Sequence, residues 1–197
     1  MIDGIWARHL RLAAICFGGL GVLIYGLMIT VTLAHIEAVS GEVPFDMRPS
    51  GYSPQDAAAL LEGLGAEGRR YYLSHQIPLD TAYPALLALT LVSVMRWFGQ
   101  HMPAHRLVRV GIILSVGAAL CDYIENLGIV AMILRWPDLS ALTIYASSFA
   151  TIAKSVLTTA AVLTAILLGL FTARYRFRYA SCLAISVPLE SDTGQQQ

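Results

Sequence analysis

The chain has 197 residues, of which 56% are hydrophobic and 13% charged, with a formal net charge of zero at pH 7. Soluble domains average about 25% charged residues, so this composition and a mean hydropathy of +0.63 exclude an ordinary soluble globular protein. Cys16, Cys121 and Cys182 are far apart and form no CxxC, which excludes a thiol–disulfide oxidoreductase.

Four apolar runs are long enough to cross about 30 Å of hydrocarbon at about 1.5 Å per residue. They are residues 12–34, 77–97, 107–134 and 142–171. The first run is followed by Ala38-Val39-Ser40, which resembles a cleavage site. Its apolar core exceeds that of a signal peptide, so it reads as a retained spanning helix.

Residues 35–76 form a long first loop. Gly41 to Gly51 is turn-rich and reads as irregular. Ser53-Pro54-Gln55-Asp56 then supplies an N-cap, a proline at N1 and an acid at N3. A short amphipathic helix follows, with Leu60, Leu61 and Leu64 on one face and Gly65 as its stop. A second short turn, from Ala66 through Tyr72, leads into the second spanning helix. His35 and His75 read as interfacial, and with no HxxxH or HExxH the sequence offers no metal site.

The second spanning helix carries Asp80, Tyr83 and Pro84 near its outer end. A proline at that position leaves the carbonyl of Asp80 without its helical donor. On the third, Asp122, Glu125 and Asn126 fall at i, i+3 and i+4 and share one face, which runs back through Ala118, Ser115 and Gly111. Small residues at that spacing admit a close neighbour. On the fourth, Ser147, Thr151, Lys154, Ser155 and Thr158 make a matching stripe, and Lys154 is the chain's one lysine.

A charge at mid-bilayer costs at least about 2.5–3.5 kcal/mol, so such residues face inward and find partners. Packing the two stripes together sets Lys154 against Asp122 and Glu125 near the midplane, with Asp80 about two turns nearer the outer surface. With several acids and one lysine in a low dielectric, at least one carboxyl keeps its proton. A neutral acid beside an ionised one is what general acid–base chemistry uses. Asp122, Glu125 and Lys154 are therefore the candidate catalytic residues, and Asp80, Tyr83, Asn126 and Thr151 the candidate ligand-binding ones. The same charges also suit a non-catalytic accessory or assembly subunit, in which they only order the helices. Four helices without an inverted repeat argue against a monomeric transporter.

Two resemblances follow from particular residues. Phe45-Asp46, Gly51-Tyr52-Ser53, Leu60-Leu61-Glu62, Gly68-Arg69, Asp80-x-x-Tyr83-Pro84 and Asp122-x-x-Glu125-Asn126 together resemble a family of small bacterial four-helix membrane proteins with no assigned activity. The layout of four helices, a long first outer loop and acids inside the bundle is similar to the emopamil-binding/sigma-2 receptor-like (EXPERA) superfamily. That resemblance implies an acid on the second helix, at Asp80, engaging an amine or a sterol carbocation. The sequence lacks that group's His–acid pairing.

The expected molecule is an all-α, polytopic four-helix bundle over residues 1–178 of a bacterial inner membrane. Its long first loop is periplasmic, and residues 179–197 form a disordered cytoplasmic tail. The expected ligand is a membrane lipid or hydrophobic small molecule, with a membrane-protein partner as the alternative; neither cofactor nor nucleic acid is expected.

Arginine placement orients the chain. Arg8, Arg11, Arg96, Arg106, Arg109, Arg174, Arg176 and Arg178 lie on one side, against Arg48, Arg69, Arg70 and Arg135 on the other. The richer side, with both termini, is expected in the cytoplasm. Reporter fusions after residue 60 and after Arg178 should read periplasm and cytoplasm respectively; the reverse pattern would refute this orientation.

Overall fold

The computed structural model describes residues 2–100 and 105–185, and every regular element among them is helical. Helix α1 (Ile2–Leu27) passes through a π turn (Met28–Thr32) into α2 (Leu33–Ser40) without a break. The first helix thus outruns the expected end at residue 34. A π turn keeps the backbone hydrogen-bonded while inserting a residue, so nothing stops the chain until Gly41. There a left-handed φ of 71° ends the helix, and the Gly41 N–H donates to Glu37 O at 2.8 Å.

A short 3-10 turn (Phe45–Met47) precedes α3 (Pro54–Tyr71). Ser53 and Asp56 cap α3 reciprocally. The Asp56 N–H donates to Ser53 Oγ at 3.2 Å, and the Ser53 N–H to Asp56 Oδ2 at 2.8 Å. Gly65 breaks the helical geometry at φ 61°, ψ −173°, but the chain resumes its helix at once. A second π turn (Tyr72–Gln76) then feeds α4 (Ile77–Gly99). Helices α5 (His105–Arg135) and α6 (Ala141–Ile185) complete the set. Residues 179–185 continue α6 instead of starting an irregular tail, and residues 186–197 lie outside the described residues.

Four helical stretches are long and apolar enough to cross a membrane: Ala7–Ser40, Pro54–Gly99, Arg106–Arg135 and Ala141–Tyr175. Helix α4 is central, packing against α1, α5 and α6, while α5 and α6 share the most extensive contact. Large apolar side chains such as Ile15, Val22, Leu127, Leu142 and Phe149 stand at least two-thirds exposed around the outside. In water such surface would drive association; facing lipid it is satisfied.

The apolar core is split in two. One part, with Met28, Ile36, Phe45, Leu60, Tyr72, Ile129 and Ile144, gathers where α2 and α3 pack over the ends of the spans. The other, with Met95, Ala161, Ala165 and Leu168, lies between α4 and α6 farther along. Between the two lie the buried polar residues Asp80, Glu125, Asn126, Ser147 and Thr151.

The segment ahead of α3 is fastened to α6. The Tyr52 N–H donates to Ser148 Oγ at 2.8 Å and the Tyr52 hydroxyl to Ser147 Oγ at 2.7 Å. Gly51 makes this approach possible: at φ 84°, a Cβ there would sit 3.0 Å from Ile152 Cδ1 and 2.5 Å from Ser148 Oγ. Gly51→Ala should therefore cost roughly 1–3 kcal/mol in backbone strain and lost docking. Thermal unfolding in detergent would measure it, and an unchanged midpoint would show that the segment does not dock here.

Candidate functional site

The site is built around Lys154 on α6. Its Nζ lies 2.8 Å from Asp122 Oδ1, to which it donates, and 2.5 Å from Glu125 Oε2. The three side chains are 14%, 13% and 0% exposed. Helical spacing brings them together. Asp122 and Glu125 are one turn apart on α5, and the small residues of α6 let the two backbones close. Ser147 packs so tightly on Gly128 that a Cβ there would meet Ser147 Cβ at 2.6 Å. Ser147 Oγ also donates to Glu125 O at 3.1 Å, locking the register.

Asn126 links this pair of helices to α4. Its Nδ2 donates to Asp80 O at 2.9 Å, so the carbonyl freed by Pro84 is satisfied from the neighbouring helix. Asp80 is buried at 3% exposure, and Thr151, also buried, donates from Oγ1 to Ser147 O at 3.1 Å.

A cavity of about 290 Å³ lies against this cluster. Asp80 and Tyr83 from α4, Asp122 from α5 and Lys154, Ser155 and Thr158 from α6 line it, as do Tyr25, Met28 and Leu33 from the first helix. The first spanning helix thus forms one wall of the cavity. Of the sequence-derived site residues, Asp80, Tyr83, Asp122 and Lys154 face the cavity. Glu125, Asn126 and Thr151 stand behind them, where they hold Lys154 and the helix register.

One acid was missed. Asp46, within the turn-rich stretch from Gly41 to Gly51, also lines the cavity. The 3-10 turn places it there, because Phe45 is fully buried against Tyr52 and Tyr72, with ring centroids 4.7 Å and 6.3 Å away. With Phe45 sunk in the core, its neighbour is directed into the bundle, where the Tyr72 hydroxyl donates to Asp46 Oδ2. Asp46 and Asp80 thus line the same cavity. The available signal was local: Asp46 sits in Val43-Pro44-Phe45-Asp46-Met47, an apolar context unlike that of the other loop acids.

Among the described residues, six buried polar atoms around the site make no conventional hydrogen bond within the protein: Asp46 Oδ1, Gln76 Nε2, Asp80 Oδ2, both Glu125 carboxyl oxygens and Asn126 Oδ1; of these Glu125 Oε2 is met by the Lys154 ion pair. Each such group costs about 1–3 kcal/mol unless a proton, a water or a ligand group meets it. Tyr52, outside the spans, is held in its neutral form by burial, which raises its pKa, and it serves as a donor. The arrangement thus offers one ammonium, several carboxyls able to pass a proton, and a polar cavity with apolar flanks.

Removing the cation should expose the constraint. Lys154→Met strands two buried acids and should destabilise by about 3–5 kcal/mol. Adding Glu125→Gln should recover part of that loss, and adding Asp122→Asn most of the remainder. Strict additivity across this cycle would mean that the contacts carry no coupling.

Searches against family models, curated proteins and solved structures match nothing to this chain, so the reading of the site rests on its own chemistry.

Proposed function

We propose that this protein is a multi-pass protein of the bacterial inner membrane that binds a lipid-like or isoprenoid small molecule in the cavity beside Lys154. Both termini are cytoplasmic, and the segment with the amphipathic part of α3 is periplasmic. The observation that carries the reading is a pair of buried carboxyls with unpaired oxygens, Asp46 and Asp80, lining a cavity whose other walls are largely apolar. A polar head group meets the Asp46, Asp80, Asp122 and Lys154 side, and an apolar remainder lies against Met28, Leu33 and Leu87. That division of surface suits a molecule with one polar end and a hydrocarbon body, delivered from the bilayer.

The chemistry available there is proton transfer. One carboxyl facing the cavity acts as acid and another as base, while Lys154 holds the cluster's charge in balance. Glu125 and Asn126 position these groups from behind. Asp80 is the position at which the EXPERA-like layout implies an acid. The rival reading, an accessory subunit whose charges only order its helices, draws support from the fact that Lys154 is fully engaged by its own neighbours.

Asp122→Asn separates the two. An amide keeps the carboxyl's shape but neither releases a proton nor holds a charge. On the ligand reading, the variant inserts and folds, yet loses the lipid that co-purifies with the wild type and is detected by native mass spectrometry. Retained ligand, or unchanged cellular function with equal or higher stability, would favour the accessory-subunit reading.

A further inference from the structure

A second groove lies at the opposite end of the bundle from the carboxyl cluster. It encloses about 830 Å³ between the start of α1, the end of α4 and the start of α5. Asp80 stands near one end of α4 and Arg96 near the other, about 24 Å apart at 1.5 Å per residue. The floor is apolar, with Leu10, Val108, Ile112 and Ile113, and two arginines, Arg96 and Arg109, stand at its edge.

Both arginines are exposed, and neither has an ion-pair partner among the described residues, whose salt bridges involve only Arg48 and Lys154 as cations. The sequence explains why. It has no acid from residue 81 to 121, the stretch that supplies the α4 and α5 walls, and none from 4 to 36, where Leu10 of the third wall lies. Arg11, nearby in the first helix, is turned to the Trp97 ring, with its guanidinium carbon 5.9 Å from the centroid. Arg96 and Arg109 are the cations left facing the groove.

Where a span ends, head groups meet tails. An apolar floor there takes acyl chain, and an unpaired guanidinium at its edge takes a phosphate oxygen through two parallel N–H donors. We propose that this groove is a binding site for an anionic phospholipid, its phosphate on Arg96 and Arg109 and its chains along Leu10, Val108 and Ile112. A zwitterionic lipid is disfavoured, because its own cation meets the arginine-rich end of the bundle. The site is independent of the cavity at Lys154 and stands whether or not that cavity binds a ligand.

The test is native mass spectrometry of the full chain in mild detergent, with phosphatidylglycerol and phosphatidylcholine added in equal amounts. Phosphatidylglycerol adducts should prevail on the order of tenfold, the scale of one or two charge-assisted hydrogen bonds. Equal retention of the two lipids by the wild type overturns the proposal without recourse to any variant. Arg96→Gln with Arg109→Gln should abolish the preference. Arg8→Gln with Arg106→Gln removes two exposed cations from the same end, outside the groove, and should preserve it. Equal loss in both double variants would mean diffuse attraction to a basic surface and would overturn the site.

Discussion

One buried ion cluster sets the terms for the rest of this molecule. Lys154 contacts Asp122 and Glu125 in the middle of two apolar helices, where an unpaired charge would be costly. The contact is possible only if α5 and α6 approach closely, which requires Gly128 opposite Ser147 and a run of small residues on both faces. It also fixes rotation, because Glu125 and Asp122 must point to the same neighbour. Once that register is set, Asn126 is carried to α4, where Pro84 has left a carbonyl in need of a donor. A cation on one helix thus determines how three helices meet.

The segment between α2 and α4 has a different logic. It is held by aromatic burial and by short polar ties to α6, not by charge. Phe45 is fully enclosed, Tyr52 reaches Ser147 and Ser148, and Tyr72 holds Asp46. The two π turns face each other across this region, with Thr32 Oγ1 donating to Gln76 Oε1 at 2.5 Å. Inserted residues of this kind recur at functional sites because they redirect side chains without losing backbone bonds. Here they border the cavity, to which Met28 and Leu33 contribute.

The four spanning runs and the Lys154 contacts were legible because each depends on a local rule. Length and hydropathy mark a span, and i, i+3 spacing on facing helices pairs opposite charges. The Asp80 carbonyl was legible for the same reason, since a proline four residues later removes its donor. Continuation of the first helix to Ser40 was not legible, because a π turn leaves no signature in composition and Ser40 looks polar enough to lie in a loop. Asp46 was hidden by its distance in sequence from every group it meets. Its position follows from the burial of Phe45 against Tyr72, a contact across 27 residues that no periodicity records.

The placement of acids and arginines follows from the same economy of charge. Inside the bundle one lysine meets several carboxyls, so the site holds more acid than base and keeps oxygens unpaired. At the far end Arg96 and Arg109 are exposed and lie in a stretch, residues 81 to 121, without an acid. A buried surplus of carboxyls must be met by protons or by donors brought in with a ligand. Exposed arginines at a span's end have the membrane's own phosphates as partners. Asp80 and Arg96, one in each surplus, stand near opposite ends of α4, about 24 Å apart along the helix. Acid thus outnumbers base within the bundle, while unpaired base is exposed at its rim among the described residues.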